Sequence, residues 1–189
     1  GLVFAHQLDA VNLHGAVADA QSFANFFAGH GHPEYELLIE VDNDKAIKID
    51  PTKAEYYYAR ARPYYDLNEF SDVIINCEKA IAINPTALQG SAFTSLGVLY
   101  YKVPGWPIGF GSDKKARELL TKALEVNPQG IDPNYFYADF LAQERDYKGA
   151  MRYLELAKQA PARPDRPLAD SGRQQEIAAL ERKVSKKIK

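Results

Sequence analysis

Cysteine, methionine and tryptophan each occur only once in these 189 residues. A lone Cys77 excludes an intrachain disulfide and any zinc site built from several cysteines. No run of about 18 apolar residues occurs, so no segment reads as a membrane-spanning helix. Net charge is small, −2 at neutral pH, and there is no broad basic stripe of the kind that holds a phosphate backbone. Nucleic acid is therefore not expected as a partner. The near-neutral total hides an asymmetry: residues 1–50 carry eight acids and two bases, whereas residues 163–189 carry eight bases and four acids. At 46% hydrophobic and 25% charged residues, the composition is that of a soluble chain with a sizeable core.

What is abundant is one phrase. Ala46-Ile47-Lys48-Ile49-Asp50-Pro51 returns as Ala80-Ile81-Ala82-Ile83-Asn84-Pro85 and again as Ala123-Leu124-Glu125-Val126-Asn127-Pro128. The first two prolines are 34 residues apart and the third follows after 43, while a weaker phrase, Ala157 to Pro161, closes after 33 more. A fixed period of roughly 20–50 residues marks a stack of small supersecondary units.

Within one period the spacing predicts two helices. Tyr57, Arg60, Ala61 and Tyr64 share a face of a first helix running from near Thr52 to near Leu67. After a polar turn, Phe70, Val73, Ile74, Cys77, Ala80 and Ile81 line a second helix, which Asn84-Pro85 ends. Small Ala61 and Ala80 allow close approach, and Tyr57, Tyr64 and Phe70 fill the space between neighbouring pairs. A single hairpin of this kind cannot bury its apolar face, so the units must stack. Further along, Ser112 is the expected N-cap of the helix that follows it. After Pro161, Pro164 and Pro167, a box at Ser171-x-x-Gln174 is expected to open a last helix, with Ile177, Leu180, Val184 and Ile188 inward and Arg182, Lys183, Lys186 and Lys187 outward.

These residues resemble the tetratricopeptide repeat family. The best match is Phe93-x2-Leu96-Gly97-x2-Tyr100 with Ala116-x3-Leu120, Ala123 and Pro128. A second copy runs Tyr57-x2-Arg60-Ala61-x2-Tyr64 with Val73-x3-Cys77, Ala80 and Pro85. The third has Asn134-x2-Tyr137-Ala138-x2-Leu141 with Tyr147, Ala150-x3-Leu154 and Ala157. A degenerate copy precedes them, with Phe23, Phe26, Phe27, Tyr35, Leu38, Ile39, Ala46 and Pro51. The resemblance implies an all-α fold, a right-handed superhelical solenoid of antiparallel helix hairpins closed by a C-terminal capping helix. Its expected divisions are an N-terminal segment over 1–19, an array over 20–162 made of units 20–53, 54–87, 88–130 and 131–162, and a Pro-rich linker with capping helix over 163–189.

The start of the chain is ambiguous. Leu2, Val3, Phe4, Leu8 and Val11 fall near helical spacing, and Ala18-Asp19-Ala20 has the small-x-small form of a signal-peptidase site. The reading adopted is a helix over residues 2–14 that packs on the repeats. A removed export signal stays open as the alternative, so the compartment is left open between export and retention of a soluble chain.

No catalytic constellation assembles in the sequence, so the chain is read as non-enzymatic, with no cofactor. Cys77 sits at a core-facing repeat position and reads as an inert buried thiol. His30-Gly31-His32 with Glu34 and Glu36 has the residue types of a metal loop, but such pairs are common in turns and no metal is assigned. The nine extra residues of the 88–130 unit mostly swell the turn between its helices into Val103-Pro104-Gly105-Trp106-Pro107-Ile108-Gly109-Phe110-Gly111. That loop is either a packed flap or an exposed recognition element. Together with Gly130–Tyr137 it also looks similar to a group of uncharacterised bacterial repeat proteins, many of them exported, which implies no activity.

By the resemblance, first helices line a groove that receives a peptide or partner helix. Carried over position by position, the lining is Tyr58, Arg62, Tyr65 and Asp66, then Thr94, Val98 and Tyr101, then Tyr135, Phe136 and Asp139, with Trp106 and Phe110 from the loop. Tyrosine suits such a surface because it offers rigid area and a hydroxyl together. The leading expectation is a protein- or peptide-binding scaffold. Two alternatives stand beside it: a small hydrophobic ligand held under the Trp106 loop as a lid, and a homo-oligomer in which the acidic N-terminal part docks on the basic cap.

Overall fold

The structure, a computed structural model, describes residues 43–66, 69–164 and 166–188, apart from the side chains at 62, 63, 65 and 66. The expected helix over residues 2–14, the copy around Phe23 and the His30–His32 turn lie outside the described residues. Regular structure among the described residues is helical: α1 (Asn43–Ile49), α2 (Ala54–Asp66), α3 (Phe70–Ile83), α4 (Ser91–Lys102), α5 (Asp113–Val126), α6 (Ile131–Gln143), α7 (Tyr147–Lys158) and α8 (Pro167–Ser185). One 3-10 turn (Ala87–Gly90) precedes α4. The most extensive packing joins α2 to α3, α4 to α5 and α6 to α7, so consecutive helices fold back on each other as hairpins.

The repeated phrase has one structural meaning in each copy. Its Asx residue ends the helix by donating its backbone N–H to the alanine carbonyl four residues earlier, Asp50 to Ala46, Asn84 to Ala80 and Asn127 to Ala123, each at 2.9 Å. In the first two copies the same side chain then folds the next turn. Asp50 Oδ1 accepts from the Thr52 backbone N–H at 3.0 Å, and Asn84 Oδ1 accepts from that of Thr86 at 3.0 Å. An Asx side chain bonded two residues onward is a local substitute for helix continuation, and proline between them blocks the alternative. The phrase is thus a stop-and-turn signal. Its alanines, Ala46, Ala80 and Ala123, are buried where helices meet.

Close approach within the second hairpin depends on Gly97. A Cβ there would lie 2.6 Å from Leu120 Cγ and 2.8 Å from its Cδ2, so α4 and α5 meet with no space for a methyl group. The core runs continuously through all three hairpins, from Ala61, Val73 and Cys77 through Leu96, Leu99 and Leu120 to Phe136, Phe140 and Leu154, and ends on Ile177, Leu180 and Val184 of α8.

The expected start of the last helix is corrected. Ser171 lies inside α8, which begins at Pro167. Proline's fixed φ and missing N–H suit a first helical turn, and Asp170 in that turn accepts from the Arg163 backbone N–H and Nε, both at 2.7 Å. The helix is therefore started by Pro167 and Asp170 rather than by a box at Ser171. It ends at Ser185, leaving Ile188 beyond it and exposed, while Arg182, Lys183, Lys186 and Lys187 face outward.

Candidate partner-binding site

The first helices of the hairpins, α2, α4 and α6, are joined side by side through polar contacts. The Tyr58 and Ser95 hydroxyls bond at 3.0 Å between α2 and α4. One repeat further on, the Tyr101 hydroxyl donates to Asp139 Oδ2 at 2.7 Å, and the Lys102 ammonium donates to the same oxygen at 2.8 Å. Burial pushes the Tyr58 hydroxyl pKa up, and the bond from Ser95 offsets only part of this. Tyr58 thus stays a neutral hydroxyl that ties two repeats together.

Not all of the expected lining offers surface. Val98 and Phe136, each 1% exposed, pack inside the core. Thr94, Tyr58, Tyr101 and Tyr135 are also buried, and Asp139 is half-buried. The side chains of Arg62, Tyr65 and Asp66 lie outside the described residues. Trp106 is 90% exposed, whereas Phe110, 40% exposed, packs edge-on against Phe70 and Tyr100 at ring-centroid distances of 6.1 Å and 5.9 Å. Within the long loop Phe110 is thus packed while Trp106 projects.

Tyr135 and Phe136 are covered by a residue that the groove reading did not include. The Arg173 guanidinium of α8 lies over both rings, 4.6 Å and 4.5 Å from their centroids, while its Nε donates to Asp132 Oδ1 at 2.8 Å. Arg163 holds the other Asp132 oxygen at 2.7 Å, and Glu176 also pairs with Arg173. Burial works against the charge on Arg173, but Asp132 and Glu176 outweigh it and raise its pKa. The signal for this network was available in the spacing: Arg173, Ile177, Leu180 and Val184 recur at four, three and four, which places an arginine on the apolar face of α8.

A cavity of about 490 Å³ opens beside this network, between the N-terminal ends of α4 and α6 and the linker before α8. Ser91, Thr94, Asp132, Arg163 and Arg166 supply polar groups to its wall. Leu88 and Gln89, which also line it, both adopt left-handed backbone with φ of 51° and 57°. Two consecutive non-glycine residues in that region are strained and are held there by their surroundings. One such restraint is the Asn127 side-chain amide, which donates to Gln89 Oε1 at 3.0 Å.

Stacked helical hairpins whose second helices end in an Asx-Pro stop define the class of fold this chain adopts. No protein-family model matches the chain. Over 122 residues it is 30% identical to the small glutamine-rich tetratricopeptide repeat-containing protein 2 of Saccharomyces cerevisiae, a match that covers 65% of this chain and 30% of that protein. The chain thus spans less than a third of that relative's length. The similarity supports the tetratricopeptide repeat family for this chain. No helix among the described residues is long and apolar enough to cross a membrane.

Proposed function

We propose that this chain is a non-enzymatic protein-interaction scaffold of the tetratricopeptide type, and that it receives a peptide segment at the N-terminal ends of α4 and α6. The observation that carries the reading is the cavity at the N-terminal ends of α4 and α6. It combines hydroxyls, an acid and two arginines with a strained turn, a mixture suited to hydrogen-bonding an extended backbone and its polar side chains. Thr94, an expected lining residue, reaches this cavity, and Ser91 and Asp132 extend the same wall.

A photo-reactive phenylalanine analogue tests this when placed at exposed Gln129, on the cavity rim, and at exposed Glu125 on α5 as a control. Cross-linking in cell extract followed by mass spectrometry is expected to return the same protein adducts repeatedly from position 129 and not from 125. Indistinguishable adducts at the two positions would sink the assignment.

A further inference from the structure

The loop between α4 and α5 is built to hold two apolar side chains in solvent. Its residues from Val103 to Ser112 carry no charge. Gly111 N–H donates to the Pro104 carbonyl at 2.9 Å, Gly109 N–H to Gly105 at 3.1 Å, and Ser112 N–H to Tyr100 at 2.8 Å. A Cβ at Gly111 would lie 1.9 Å from the Val103 carbonyl oxygen, so this closure demands glycine. Phe110 anchors the loop on Phe70 and Tyr100. At its tip, Trp106 is 90% and Ile108 84% exposed. A braced loop with an exposed indole loses little conformational freedom on docking.

A hole for such a knob lies next to it. A groove of about 310 Å³ between α3 and α5 has apolar walls that include Ile81, Leu119 and Tyr100, with space for an indole ring. Tyr100 is shared: one ring contact supports the loop through Phe110, and the same residue walls the groove. The rim carries two acids, Glu78 and Glu118, and two bases, Lys115 and Lys122. A rim balanced in this way can meet a copy of itself without net repulsion.

We infer that the occupant of the groove is a second copy of this chain: two molecules associate about a two-fold axis, with Trp106 of each seated between α3 and α5 of the other. A two-fold interface requires that knob and hole lie on one patch, so that each molecule gives and receives the same contact. The shared Tyr100 supplies that adjacency. A bilayer suits the loop less well, because only Trp106 and Ile108 among its large apolar side chains project fully, Phe110 being held on Phe70 and Tyr100. This arrangement is distinct from docking of the acidic N-terminal part on the basic cap.

Because Trp106 is the only tryptophan, its emission reports on the loop alone. Sedimentation equilibrium and Trp emission of the whole chain would be followed from about 1 µM to about 500 µM, a range that covers weak self-association. Dimer and a blue shift are expected to grow in together. Trp106→Ala and Ala82→Arg, both at exposed positions, are each expected to weaken self-association at least about tenfold with an unchanged circular dichroism spectrum. Mixing the two variants restores one knob and one hole, so the emission of Ala82→Arg should shift to the blue when Trp106→Ala is added. The inference is overturned by a monomer with unshifted emission throughout, or by a dimer that both variants leave intact. It is equally overturned by a blue shift that appears only with phosphatidylcholine–phosphatidylglycerol vesicles, which would make a bilayer the occupant.

Discussion

Tyr101 and Asp139 lie 38 positions apart in sequence, yet the tyrosine hydroxyl and the carboxylate of the next repeat meet at 2.7 Å. Lys102, whose side chain is only 6% exposed, shares the same carboxylate oxygen. Removing the acid by Asp139→Ala therefore leaves a buried ammonium without its counter-charge, which costs about 3 kcal/mol. Tyr101→Phe removes one hydrogen bond and should cost about 1 kcal/mol. Urea unfolding monitored by circular dichroism distinguishes the two. Equal effects would show that the lysine does not depend on Asp139.

Gly97→Ala places a methyl group into Leu120, 2.6 Å from Cγ. Overpacking of this kind costs about 1–3 kcal/mol, even though alanine is the better helix former by about 1 kcal/mol. Combining Gly97→Ala with Leu120→Ala should recover part of the steric penalty, measured as coupling in a double-mutant cycle. Strict additivity would mean that the two helices separate rather than clash.

Arg173 joins α8 to α6 through Asp132 and through the faces of Tyr135 and Phe136. Arg173→Ala removes one of the charges that hold Asp132 and opens a gap over two rings, a loss of about 3 kcal/mol. Arg173→Met, which restores apolar volume, should lose less. Hydrogen exchange is the informative readout, with protection expected to fall in α8 before it falls in α4. Uniform loss along the chain would instead make the arginine a support of the whole array.

Cys77 is fully buried, and burial, helped by the nearby Glu78, pushes its thiol pKa up to about 12 from an ordinary 9.0. The folded state thus favours the protonated thiol, and its contribution to stability is complete below about pH 9 and is lost as pH rises towards about 12. Tyr58 acts in the same direction. Denaturation at rising pH should show this alkaline loss, reduced in Cys77→Ala. At neutral pH the native thiol should resist a disulfide reagent that modifies the unfolded chain at once. Rapid native modification would contradict a closed core.

Much of the helical order was legible because it is written locally. The three Ala-to-Asx phrases end helices through bonds that span four residues, and Ser112 caps α5 by accepting from the Lys115 backbone N–H at 3.3 Å. Core positions such as Ala61, Cys77 and Leu120 followed from spacing because burial on a helix repeats with its turn. The candidate surface was less legible. Repeat position alone cannot tell whether Phe136 faces a groove or lies beneath an arginine 37 residues away in sequence. Nor could a box at Ser171 be weighed against Pro167 without knowing that Asp170 would be taken by Arg163.

What the sequence determined by itself is therefore what short-range chemistry controls: where helices stop, which face of each is apolar, and that the hairpins must stack to bury those faces. Tertiary structure alone decided which polar groups pair across repeats, that α8 clamps α6 through Arg173, and that Trp106 projects while Phe110 anchors. Those outcomes depend on desolvation and on distances between residues remote in sequence. A buried charge is tolerated only beside its partner, and no periodicity in the chain records where that partner will be.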